Sequence, residues 1–268
     1  MIFEECTISD LEAIGALQPE GWPDIIPKFE EYIDQEFSFP IKVSIDNEIV
    51  GIGCAIVFKK TGWLAHIIVD SEQRNKGIGL AIVNYLLELH KANGVESSLL
   101  IATDLGAHVY KKVGFKTVSN YLFLKRESGI MKVNLESKKL IPYQEEHYPE
   151  ILKLDYKITG EHRRPLLMKS LKDAVIFKEK DLIQGAFLPN LGEGLIIATT
   201  PEAGIELMKL KYSTVDKAVI PEENKIGLEF LLKNSFQLSP SKGQRMLLGN
   251  EVAWKADGYF GRIGGNFG

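Results

Sequence analysis

Apolar and β-branched residues cluster or alternate at Ile2–Thr7, Ile41–Ile45, Ile49–Phe58, Trp63–Val69, Ser98–Thr103 and Thr117–Leu124, and these runs predict strands. The stretches between them change period. Ile82, Val83, Leu86, Leu87 and His90 fall on one face of a helix over Gly79–Asn93, and Gly94 follows as its stop. A shorter helix, Leu105–Val113, ends at Gly114 in the same way. Ser9 and Asp10 are candidate caps for a helix over Leu11–Leu17, and Pro23 stands near the start of another over Asp24–Phe37. Asp46-Asn47, between two strand-like runs, predicts the turn of an antiparallel hairpin. The fold class is mixed α/β: a central mixed sheet with helices packed on it.

The chain has 268 residues, enough for two modest domains. The strand pattern breaks with charge and glycine at Arg126–Val133, so the expected domains are 1–128 and a smaller α/β domain, 129–268. The second half reads as a degenerate repeat of the first. TISDLEAI, starting at Thr7, compares with QEEHYPEI, starting at Gln144. The stretch LLIATDLGAHVYKKVGF, ending at Phe115, compares with KAVIPEENKIGLEFLLKNSF, ending at Phe236. Each couples a short apolar strand to a helix.

Charge narrows the function. Lysine and arginine number 32 against 36 aspartates and glutamates, a net charge of −4, which argues against a generally cationic nucleic-acid or membrane-surface binder. The most apolar run, Ile49–Phe58, is too short for a bilayer, where about 20 residues are needed. The first residues are acidic, unlike a secretory signal, and Cys6 and Cys54 lack CxxC spacing or a histidine cluster. The expectation is a reduced cytoplasmic protein with no disulfide and no metal. Whether it is a monomer or a homodimer is not legible.

The most informative stretch is residues 63–94, where a buried strand ends at Val69 and Arg74-Asn75-Lys76-Gly77-Ile78-Gly79 runs straight into a helix. Glycines at a helix start let backbone approach a ligand closely, and the first N–H groups lack intrahelical acceptors. With the positive helix end and the charges of Arg74 and Lys76, this composes a site for a phosphate or pyrophosphate. It is not a P-loop, because the lysine precedes the glycines. Nor is it a dinucleotide fingerprint, because the third small residue is misplaced.

In this context VDSEQRNKGIGLAIVNYLL resembles the acetyl-CoA motif of the GCN5-related N-acetyltransferases (GNAT superfamily), [QR]xxGx[GA], with Arg74, Gly77 and Gly79 at its defining positions. AHVYKKVGF resembles the family's later segment, a helix carrying a tyrosine before Gly-Phe. The likeness covers roughly residues 1–126. It implies acetyl-CoA as co-substrate. Its pantetheine arm would lie in a wedge between splayed strands, paired with backbone at Ile68 and Val69, with Thr103 on the opposite strand. Its pyrophosphate would sit on Arg74, Asn75, Lys76, Gly77, Ile78 and Gly79. Tyr110 matches the tyrosine assigned as general acid near the sulfur.

The general base does not carry over from the family. His66 is the candidate, and strand alternation would put it on the face of Leu64 and Ile68. Asp155 or Glu161, acting through water, is an equal alternative. Glu161-His162-Arg163-Arg164 reads as a loop lining an acceptor cleft, and the glycine-rich stretch after Asp257 as a final strand with a mobile tail. The second half's counterpart to the loop, residues 198–210, keeps the strand-to-helix change but lacks RxxGxG. Only the first half is therefore expected to bind acetyl-CoA. The expected activity is acetyl transfer to the amine of a small molecule or amino acid. The alternatives are a non-catalytic acyl-CoA-binding module and a protein N-acetyltransferase.

Overall fold

The computed structural model describes residues 1–104, 106–127 and 137–268. The boundary expected between 128 and 129, and Leu105 at the start of the short helix, lie outside the described residues. The chain forms two compact units: residues 1–100 with 105–116 and 247–250, and residues 101–104 with 117–246 and 251–268.

The first unit runs β1 (Ile2–Glu5), α1 (Leu11–Ala16), α2 (Ile26–Asp34), β2 (Ser38–Ile45), β3 (Glu48–Phe58), β4 (Thr61–Val69), α3 (Ile78–Ala92), β5 (Ser97–Ala102) and α4 (Ala107–Lys112). The strands lie in the order β1-β2-β3-β4-β5. The first four pair antiparallel, and β4 and β5 pair parallel. Asp46 and Asn47 both adopt positive φ (51° and 66°), the backbone of a tight hairpin turn whose twist matches its strands. Helix α2 is shorter than expected, and the proline in its first turn is Pro27 rather than Pro23. Pro27 sits where a missing N–H costs nothing. Ile82, Val83 and Leu86 are fully buried, so α3 covers β3 and β4 with the face its spacing predicts, and Ile82 and Leu86 come down over Gly51 and Gly53.

The second unit runs β6 (Lys116–Lys125), β7 (Leu140–Pro142), α5 (Tyr148–Thr159), α6 (Arg164–Met168), β8 (Val175–Glu179), β9 (Leu182–Leu188), β10 (Leu195–Ala198), α7 (Pro201–Thr214), β11 (Lys217–Pro221), α8 (Lys225–Lys233), β12 (Gln237–Gly249) and β13 (Tyr259–Gly261). From β7 to β12 the succession of strands and helices reproduces that from β1 to β6. After β1 and after β7 comes a one-turn 3-10 helix closed by the same device. Asp10 Oδ2 accepts the Thr7 N–H at 2.8 Å, and His147 Nδ1 accepts the Gln144 N–H at 3.1 Å.

The copies differ at one edge. In the second unit the sheet order is β13-β10-β9-β8-β7, with β13 antiparallel to β10 through Ile196↔Gly261 and Ile197↔Tyr259. The stretch read as a mobile tail is instead packed: Tyr259, Phe260, Ile263 and Phe267 are all buried. Glycine there permits close approach rather than motion.

Candidate active site

Strand β4 organises the site. Its parallel register with β5 runs Thr61↔Ser97, Gly62↔Ser98 and Trp63↔Leu99 and stops there. Among the described residues of the first unit, the backbone from Leu64 to Val69 therefore has a partner only on the β3 side. Ile68 faces Ile52 and Val69 faces Gly51 across that ladder. On the other edge the strand pairing has ended, which exposes backbone groups there.

A bulge interrupts β4. Ile52↔Ile68 and Cys54↔Ala65 leave Gly53 alone opposite both His66 and Ile67. His66 takes φ 45°, a left-handed conformation that a bulky residue rarely adopts. This corrects the expectation of a shared face with Leu64 and Ile68, because an extra residue in the strand resets its alternation. The imidazole is part-exposed and walled by aromatic rings: Trp22, Phe29 and Tyr32 lie with centroids 6.3, 6.0 and 5.6 Å away. Tyr32 Oη is 2.8 Å from Nδ1. Burial, with a smaller push from Lys28, lowers the His66 pKa to about 4, so the ring is neutral at physiological pH.

Beyond Val69 the chain turns through the 3-10 segment Ser71–Gln73, where Asp70 accepts the Glu72 N–H at 2.7 Å. Arg74 Nε donates to the Val69 carbonyl at 3.2 Å, tying the loop back to the strand end. Lys76 Nζ donates to Gln73 Oε1 at 2.9 Å. Asn75 and Gly77 have positive φ (63° and 84°), and α3 starts on Gly77 with no side-chain cap. Its first N–H groups therefore point out of the protein without an intrahelical acceptor. A Cβ at Gly77 would meet nothing within 4 Å, and one at Gly79 only Val69 Cγ2 at 3.7 Å. The space above both glycines is open. Arg74, Asn75 and Lys76 are exposed beside it, while Ile78 is buried as the first anchor of α3.

Tyr110 stands on α4, which packs beside α3. Its ring meets Phe115 edge-on at 6.0 Å, and burial pushes its pKa up to about 12, so its hydroxyl keeps its proton. Thr103 is exposed just past β5, in the segment 101–104 grouped with the second unit. The structure thus draws His66, Ile68, Val69 and Arg74–Gly79 onto one strand and the helix start after it.

The second-half carboxylates have other work. Asp155 and Glu161 are buried, Asp155 paired with Arg163 and Glu161 lying 3.8 Å from Arg245. The loop expected to line a cleft is therefore half interior: Arg163 is 2% exposed, and only its neighbours His162 and Arg164 face solvent. Glu161 and Arg163 find opposite partners inside the fold. Among the described residues no group of three or more His, Cys, Asp or Glu could hold a metal, and no helix is long and apolar enough to cross a membrane.

Comparison with solved structures shows the same fold over the whole chain. A proposed acetyltransferase from Pyrococcus horikoshii superposes with TM-score 0.84 at 21% identity, covering 100% of this chain and 95% of its own. A GCN5-related N-acetyltransferase from Anabaena variabilis gives 0.57 at 12% identity, over 92% of this chain and 72% of that one. The glucosamine N-acetyltransferase region of a fungal multi-domain β-N-acetylglucosaminidase gives 0.66 at 13%, over 92% of this chain and 38% of that protein. No curated protein matches the sequence. Residues 8–115 match the model of the acetyltransferase (GNAT) family.

Proposed function

We propose that the first unit binds acetyl-CoA along the open edge of β4 and transfers its acetyl group to the amine of a small molecule. The observation that carries this reading is the uncapped, open start of α3 at Gly77, one loop after a strand whose pairing with β5 ends at Trp63. An amide-rich arm suits a free strand edge, and a diphosphate suits unspent N–H donors flanked by Arg74 and Lys76. Acetyl-CoA would bring the activated thioester. His66, uncharged at neutral pH, accepts a proton from the acceptor's ammonium so that the nitrogen can attack the carbonyl carbon. Tyr110, its hydroxyl protonated, donates to the departing sulfur as the C–S bond breaks, and the second proton lost by the nitrogen as the amide forms restores the tyrosine, leaving one net proton, on His66, to pass to solvent.

Gly79→Leu tests the cofactor site. Leucine suits a helix and its Cβ has room at 3.7 Å from Val69, so the fold should persist, while the longer side chain fills the space above the helix start. With acetyl-CoA at about 100 times its dissociation constant, the native protein should gain roughly 2.7 kcal/mol, a rise of roughly 5–10 °C in melting temperature. The variant should show no such rise. An unshifted native protein, or an equal shift in both, would overturn the assignment. Free-thiol release from acetyl-CoA across a panel of small amines and lysine peptides then separates a small-molecule acceptor from a protein one.

A further inference from the structure

We infer that Tyr32 is a positioning residue that fixes the tautomer of His66, holding the proton on Nδ1 and leaving Nε2 bare to receive the acceptor's proton. The inference rests on the base role given above to His66. Three observations carry it. His66 is held at φ 45° by the bulge in β4, a strained conformation that persists only where its surroundings enforce it. The enforcing wall is α2 and the segment before it: Phe29 and Tyr32 are fully buried and, with Trp22, surround the imidazole. From that wall Tyr32 Oη reaches the ring at Nδ1, 2.8 Å away.

A neutral imidazole carries one proton, and the hydrogen bond at one nitrogen decides which nitrogen is free to accept. In water the Nε2–H form prevails by a small margin. A base acting through Nε2 needs the reverse, with Nδ1–H donating to the tyrosine oxygen. On proton transfer from R–NH3+ to Nε2 the ring becomes imidazolium, and its Nδ1–H remains on Tyr32. The same contact therefore steadies the charged form. The ring wall also admits an apolar or aromatic neighbour to the reacting amine more readily than a second charge.

The test is a long-range proton–nitrogen correlation spectrum of histidine-labelled protein at neutral pH, which reads each ring nitrogen directly. The native protein should show His66 protonated at Nδ1 and bare at Nε2. In Tyr32→Phe the Nε2–H form should take over. A native His66 protonated at Nε2, or a tautomer unchanged in Tyr32→Phe, would overturn the inference. The melting shift with acetyl-CoA is recorded on the same two samples. Its absence in both would sink the cofactor reading alone, since the tautomer is read without ligand.

Discussion

Arg163→Met will lower the stability of the protein by about 3–5 kcal/mol, a fall of about 10 °C or more in melting temperature. The guanidinium is 2% exposed. Its Nη2 and Nε donate to the two carboxylate oxygens of Asp155 at 2.5 and 3.2 Å, and Nη1 donates to the Phe267 carbonyl at 3.3 Å. Removing it strands the Asp155 carboxylate, 1% exposed, in a low-dielectric interior, and an uncompensated buried charge is costlier than the lost bonds. The sign of the effect is diagnostic. Adding Asp155→Leu to Arg163→Met should recover most of the loss, because two apolar residues of similar volume make no such demand. Urea unfolding of the two single variants and the double variant checks this. A double variant as unstable as the sum of the singles would show that the pair is not the source of the cost.

Acid will unfold the protein over a window set by two histidines. Burial lowers both His66 and His90 to about 4, well under the 6.5 of a free imidazole. The unfolded chain takes up these protons first, so stability is fully present above about pH 6.5, falls as pH drops, and levels off below about pH 4. Each group accounts for about 3 kcal/mol across that range. His90 is 1% exposed, with Nδ1 on Ser98 Oγ at 2.8 Å, and has no part in the proposed chemistry. His90→Gln should therefore flatten the pH dependence between 4 and 6.5 by about half while leaving acetyl-CoA binding intact. Urea midpoints at pH 7 and 4.5 measure it. Parallel pH profiles for variant and native protein would mean His90 is not the buried group responsible.

Local chemistry made much of the fold legible. Asp46-Asn47 announces its turn because few residue pairs accept two positive φ values. Helix α3 is visible because its apolar stripe has one period and its stop is Gly94, at φ 72°. The phosphate loop is legible for a similar reason: glycines and cations placed between a strand and a helix have few other uses. What stayed hidden depends on separation along the chain. The bulge at His66 follows from register against β3, which no local pattern encodes. Tyr32 lies 34 residues from His66, and its own helix reads simply as amphipathic. Arg163 and Glu161 read as part of a cleft-lining loop because their partners Asp155 and Arg245 cannot be chosen from sequence. Leu247–Asn250 belongs with the first unit though it comes late in the chain, as in the Ser97 Oγ hydrogen bond to the Asn250 carbonyl at 2.9 Å.

Strand β13 has a consequence for stoichiometry. The edge of β10 corresponds in chain order to the open edge of β4, but Tyr259–Gly261 already lies along it. Phe260 presses on α7 so closely that a Cβ at Gly204 would sit 2.3 Å from its ring. Asn224 Nδ2 holds the Tyr259 carbonyl at 3.1 Å. A tethered strand competes with any free ligand at an effective concentration on the order of millimolar. Calorimetric titration with acetyl-CoA should accordingly saturate at one equivalent per chain. Of two edges that correspond in chain order, only that of β4 is then left for a ligand, while the chain itself fills that of β10.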